Sequence, residues 1–305
     1  MLRLSRANHK TGVNTPSHSP KFGAASAMLK QLLGDRVLIS LSPAEVALVR
    51  LHGTFRPRVV AKRVLACDPA QTAEPWKGAA SALATLAAEL KGVKARVTVV
   101  LSNHFVRYTL VPSSKGLDRP EEELAFAQYH FAKVHGERSK SWDARLSTGP
   151  AGAARVASAV DAALLRAIEA CFPAGGKARL ASVQPYLMCA FNRWRGEIPG
   201  KGAWFLLVEP QRSCLAFLEE GRWAAVRNTK GEFDDPAQWT ALLDRERHLV
   251  ASAAPASSVL VHTRNNWKAP AVEAGGWNFR SLTHLPTEGI TPGESAPFDL
   301  ALCAR

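Results

Sequence analysis

One order of elements is written twice in this chain, and that repetition limits the available folds more than any other feature. The first copy begins near Asp35. Val37–Leu41, Glu45–Leu51 and Arg58–Leu65 have strand length and pattern, with turns at Ser42-Pro43 and His52-Gly53. A helix follows in "KGAASALATLAAELKG", where Leu83, Leu86, Ala87 and Leu90 share a face and Gly92 stops it, and then a strand over Ala95–Leu101. The second copy has strands at Ala203–Val208, Ser213–Leu218 and Arg222–Arg227, with turns at Pro210-Gln211 and Glu220-Gly221. Its helix, "DPAQWTALLDRERHLVA", gathers Trp239, Leu242, Leu243, Leu249 and Val250, and the strand Ser257–His262 closes the set. Two such units predict duplicated α/β lobes that face each other, with a ligand cleft between them.

Between the copies the texture changes. "VTVVLSNHFVRYTLVP" reads as a hairpin or a strand pair broken near Ser102-Asn103. "LDRPEEELAFAQYHFAKVHG" begins as a helix does, with Asp118 as N-cap, Pro120 in the first turn and Glu121 to Glu123 at the positive end of the dipole. Leu124, Ala127, Phe131 and Val134 form its expected buried stripe, and Phe126 and Tyr129 lie off it. "WDARLS" and "ARVASAV" read as strands, "DAALLRAIEACF" as a helix, and "RLASVQP" as a strand leading into the helix "YLMCAFNRWRG". The expected division is a disordered basic tail over 1–34, a first lobe over 35–96, an inserted subdomain over 97–176, a connecting strand and helix over 177–201, and a second lobe over 202–305.

Charge narrows the choice of partner. The formal net charge is +13, and the stretch before Asp35 contributes Arg3, Arg6, Lys10, Lys21 and Lys30 with no acid. Its Ser, Thr, Asn and Pro content cannot bury enough apolar surface to offset the entropy of ordering. A basic balance favours an anionic partner, and Arg3, Arg6, Lys10 and Lys21 are the candidates for contact with an anionic membrane surface. No apolar run approaches the ~20 residues of a membrane helix, so a soluble protein is expected. The five cysteines are scattered without a C-x-x-C pair, as free thiols of a reducing compartment are. The nine histidines, including His130 and His135, show no zinc spacing, so no metal is expected. No nucleophile-elbow, zincin or Walker motif occurs. Six of the tryptophans, at 194, 204, 223, 239, 267 and 277, are expected in the core or between lobes. Aromatic-basic runs such as "FNRWR" lack any nucleic-acid-binding spacing.

The duplicated unit with its central insertion resembles the actin-like ATPase superfamily, whose lobes are ribonuclease H-like. Within it, "AVDAALLRAIEACF" followed by "RLASVQPYLMCAFNRW" is similar to the PilM/MshI pilus-biogenesis proteins, and the order also resembles the cytoplasmic part of type II secretion L proteins. Active members place Asp-x-Gly in the first lobe's turn, repeat it in the second, and put Gly-Gly after the last strand. Here Ser40 and Ser42 replace the first Asp and Gly, Glu209-Pro210-Gln211 stands at the second turn, and Thr263 and Arg264 stand at the third. The Gly lets backbone approach phosphate, and Pro210 removes an N–H donor. The resemblance therefore implies a non-enzymatic scaffold with no nucleotide cofactor, on the cytoplasmic face of a type IV pilus or MSHA-like platform. It further implies capture of an inner-membrane partner's cytoplasmic tail in a groove between the first lobe and the insertion, for which Phe105, Tyr108, Phe126 and Tyr129 are the candidate anchors. A working actin-like ATPase or sugar-kinase-like enzyme with divergent loops, and a nucleic-acid-binding module, are the rival expectations.

Overall fold

A computed structural model describes residues 35–53, 56–67, 74–114, 119–150, 152–200, 202–233, 236–250, 256–263 and 272–305. The first copy comprises β1 (Asp35–Leu41), β2 (Glu45–His52), β3 (Arg58–Ala66), α1 (Trp76–Glu89) and β4 (Ala95–Leu101). Next come β5 (Val106–Val111), α2 (Pro120–His135), β6 (Trp142–Leu146), β7 (Arg155–Asp161) and α3 (Ala162–Cys171). β8 (Ala178–Pro185) and α4 (Tyr186–Trp194) lead into β9 (Ala203–Glu209), β10 (Arg212–Glu219), β11 (Arg222–Lys230), α5 (Pro236–Arg247) and β12 (Ser258–Thr263). β13 (Val272–Ala274), β14 (Trp277–Ser281) and α6 (Asp299–Leu302) complete the described chain.

The strands form three sheets, ordered β3-β2-β1-β4-β8, β11-β10-β9-β12-β14-β13 and β5-β7-β6. The two larger sheets repeat one plan: an antiparallel meander whose first strand pairs in parallel with the strand after the helix, β1 with β4 and β9 with β12. Alternation along the strands sets what each face carries. In the first lobe Val37, Ile39 and Leu41 pack with Leu83 and Leu86 of α1 and with Leu164 and Ile168 of α3. The opposite face sends Leu38, Val49 and Leu51 against Phe298, Ala301 and Leu302. In the second lobe Trp204, Leu206 and Val208 meet Trp239, Leu242 and Leu243 of α5, while Phe205 and Leu207 meet α4. The α4 residues Tyr186, Leu187 and Trp194 share that cluster with Val100 of the first lobe. This helix is the apolar wedge between the lobes.

Several expectations change. β4 belongs whole to the first lobe's sheet, so a boundary at 97 cuts a strand; the separate sheet spans β5 to β7. β4 and β5 are a broken strand pair in different sheets, not a hairpin, and α3 packs with the first lobe's core. On α2 Val134 is 62% exposed, and Glu123 takes an inward position where it pairs with Arg155 at 3.0 Å. Arg119 holds the cap position, its backbone N–H donating to Glu122, while Asp118 lies outside the described residues. Leu249 is 63% exposed because α5 ends at Arg247, before the apolar stripe reaches it. Trp194, Trp204, Trp223, Trp239 and Trp277 are buried as expected, and Trp267 lies outside the described residues. The tail over 1–34 also lies outside them. Among the described residues no helix is long and apolar enough to cross a membrane.

The chain beyond β14 crosses back to the first lobe. The Val59 amide donates to the Glu288 carbonyl at 2.9 Å, Lys62 pairs with Glu294 at 2.6 Å, and Phe298 to Leu302 cover the inner face of β1 and β2.

Candidate functional site

The corresponding turns of the two lobes are built from polar residues already engaged with one another. Between β1 and β2, Ser42 is buried; its hydroxyl donates to the Glu45 carbonyl at 2.9 Å and accepts from the Glu45 amide at 3.2 Å. The hydroxyl closes its own turn. Ser40 is a buried strand residue of β1, paired in register with Ala47.

The second turn reaches further. Glu209 is 2% exposed, and its carboxylate accepts from the Ser102 hydroxyl at 2.5 Å and from the Asn103 amide at 2.9 Å. His104 Nε2 donates to the Pro210 carbonyl at 2.9 Å. From β11, the Asn228 side-chain amide donates to the carbonyls of Asn103 at 2.8 Å and Val106 at 2.9 Å. These five bonds fasten the 102–106 segment, which links the first sheet to the insertion, onto the second lobe. Gln211 holds φ 57°, a left-handed conformation that glycine would adopt without strain. Thr263 ends β12 opposite Val208, and Arg264 lies outside the described residues.

The candidate anchors separate into three kinds. Phe105 precedes β5 and packs against the first lobe's core, whereas Tyr108 on β5 packs against both that core and the cluster around α4. Tyr108 also donates its hydroxyl to Asn103 Oδ1 at 2.8 Å, and burial pushes its phenol well above the usual value. Phe126 packs beside Leu124 and Trp142 in the insertion's core. Tyr129 stands 66% exposed.

A groove of about 500 Å³ lies elsewhere, where the insertion meets the first lobe. Leu124 and Gln128 of α2, Trp142 and Arg145 of β6, and Ala162 and Arg166 of α3 line it. β6 is the outer strand of its sheet, and Trp142 to Arg145 of this strand line the groove.

One further constellation left no sign in the chain's pattern. His262 of β12, His284 after β14 and Cys303 after α6 bring their ligand atoms within 4.8 Å of one another. They are separated in sequence by an entire strand pair and a crossover, so no short spacing could reveal them. Burial pushes the His284 imidazole down to about 4, so the ring is neutral near neutral pH.

The paired sheets and the crossing C-terminal segment make this an actin-like ATPase fold. The chain of the PilM-PilN type IV pilus biogenesis complex superposes with a TM-score of 0.59 at 15% identity, covering 88% of this chain and 97% of that one. The cytoplasmic domain of EpsL, an inner-membrane component of the type II secretion system of Vibrio cholerae, gives 0.53 at 14% identity, covering 88% and 93%. A Bacteroides thetaiotaomicron protein with an actin-like ATPase fold and unknown function gives 0.52 at 11%, covering 77% and 83%. No protein-family model and no curated protein sequence matches the chain.

Proposed function

We propose that this chain is a non-catalytic cytoplasmic scaffold of a type IV pilus or type II secretion platform, holding the cytoplasmic tail of an inner-membrane partner. One observation carries the non-catalytic part: Glu209, the acid left at the second phosphate turn, is committed to Ser102 and Asn103. A carboxylate only 2% exposed and held by two donors serves to join the lobes rather than to meet a metal-bound phosphate, and Ser42 is likewise engaged with Glu45. The likeness to PilM and to the EpsL cytoplasmic domain supports the setting.

The tail site in this reading is the groove between α2, β6 and α3. An extended peptide adds to a free strand edge through main-chain bonds, with side-chain pockets for selectivity. Arg166 gives the groove a cationic rim beside the Arg145–Asp143 pair at 2.9 Å, and Leu124 and Trp142 an apolar floor. The occupant is therefore an amphipathic tail with acidic residues. Co-expression with the platform protein tests it: Arg166→Glu and Gln128→Glu are expected to cut co-purification at least tenfold while the melting temperature holds, both side chains being exposed. Wild-type retention by both folded variants would place the tail elsewhere.

The basic residues Arg3, Arg6, Lys10 and Lys21 lie outside the described chain. In this reading they supplement the platform contact at an anionic leaflet, each contributing about 1 kcal/mol at low salt. Removing Met1–Gly23 should weaken binding to anionic vesicles without changing melting. Equal vesicle binding by both forms at low salt would dismiss that role.

A further inference from the structure

We infer that His262, His284 and Cys303 form a binding site for a zinc-class metal ion, three protein ligands with a fourth position facing a cavity. The ligands come from three separate parts of the fold, and two of them, His262 and Cys303, are almost fully buried. Cys303 Sγ stands 3.7 Å from His284 Nε2. Tetrahedral zinc, with Zn–S of about 2.3 Å and Zn–N of about 2.0–2.1 Å, sets sulfur and nitrogen about 3.6 Å apart. That edge of the polyhedron is already formed; completing the face needs His262 to move in by about 1 Å and the Asp299 carbonyl, which accepts from both His284 Nε2 and Cys303, to turn away from the ion's position.

The surroundings orient these ligands. The Tyr186 hydroxyl bonds Nδ1 of His262, the arrangement by which an outer partner fixes a ligating imidazole through its other nitrogen. Trp194 lies tilted against both rings, with centroids 4.6 Å from His262 and 5.0 Å from His284, and covers the site on that side. On the other side a cavity of about 540 Å³, lined in part by Thr263, Thr287, Thr291 and Asp299, offers a path for the ion and room for a water ligand. Without metal, His284 Nε2 and the Cys303 thiol both donate to the Asp299 carbonyl, at 2.9 and 3.4 Å. Metal binding releases the thiol proton to solvent and shifts the His284 ring proton from Nε2 to Nδ1. One thiolate with two imidazoles selects zinc or similar ions over magnesium and calcium, which favour oxygen.

Cobalt(II) is the probe, titrated into the chelator-treated full chain. The expected result is one saturating equivalent with a thiolate-to-cobalt charge-transfer band, displaced by zinc. Cys303→Ser should abolish the band, His284→Gln should weaken cobalt binding at least tenfold, and Cys171→Ser should change neither. A wild-type chain without a saturating thiolate band overturns the site, as does a band that survives in folded Cys303→Ser. X-ray absorption at the zinc edge of the wild-type complex decides the matter without variants. One sulfur near 2.3 Å with imidazole nitrogens near 2.0–2.1 Å is expected, and a shell without sulfur refutes the site.

Discussion

The Glu209 carboxylate at the end of β9 accepts the Ser102 hydroxyl at 2.5 Å, joining the two lobes across 107 positions of sequence. The Asn103 amide completes the pair of donors at 2.9 Å. Glu209→Ala strands both donors in the interior and is expected to cost about 2–4 kcal/mol. Glu209→Gln retains an oxygen for Asn103 and should cost less than alanine. Urea unfolding measures both, and a loss below about 0.5 kcal/mol for the alanine variant would deny Glu209 its fastening role.

Magnesium-ATP is expected to leave the protein's melting unchanged. A ligand at a hundred times its Kd would stabilise the fold by about 2.7 kcal/mol, well within the reach of a thermal scan. Calorimetry that returned a micromolar, magnesium-dependent Kd would restore the enzyme class.

Acid should weaken one anchor of the first sheet. Asp35 pairs with Arg50 at 2.5 Å and with His52 at 2.7 Å. Burial pulls its carboxyl upward, but the hydrogen bonds from His52 and Arg50, with their charges, outweigh it and hold the carboxyl below the usual range. The folded value lies beneath the unfolded one of about 3.9, so the stabilisation is present above that pH. It is lost as the pH falls through the lower, folded value. Both partners are partly exposed, so Asp35→Asn should cost about 1 kcal/mol at pH 7. Unfolding curves of variant and wild type should converge in strong acid; a constant difference down to pH 2 would rule out the linkage.

Two aromatics on α2 should behave oppositely. Phe131 is 3% exposed and stacks edge-on with Trp142, so Phe131→Ala is expected to cost about 3–5 kcal/mol. Tyr129→Ala should stay within about 0.5 kcal/mol, because the ring stands in solvent. Chemical denaturation separates them, and a Tyr129 loss above 1 kcal/mol would reveal a packing duty that the fold does not account for.

The lobes were legible because their strands are apolar runs of strand length: β4 falls on Ala95–Leu101, as its pattern predicts, and the β1 to β3 meander departs by a residue or two at its ends. Helix stripes were less faithful. Periodicity ranks Val134 and Leu249 as inward by their chemistry, yet on the last turn of α2 Trp142 covers His135 and leaves Val134 exposed, and α5 stops short. The same pattern ranks Glu123 outward, but Arg155 on β7 supplies the charge that lets it turn in. The duplication, one plan repeated in the two larger sheets, was readable from the chain alone. That Glu209 is spent on Ser102 was not, because a hydrogen bond between residues so far apart leaves no local trace. β13, β14 and α6 were missed for a related reason: short elements that depend on distant partners carry weak periodicity.

The return of the C-terminal segment to the first lobe has a consequence for biosynthesis. Leu38, Val49 and Leu51 are translated early, but the surface that shields them, Phe298 with Ala301 and Leu302, leaves the ribosome about 250 residues later. At roughly 5–20 residues per second, that interval lasts about 10–50 seconds, during which one face of the nascent sheet is open to water. The first lobe is thus begun first and sealed last, and chaperones that bind exposed aliphatic strands have their opportunity within that interval.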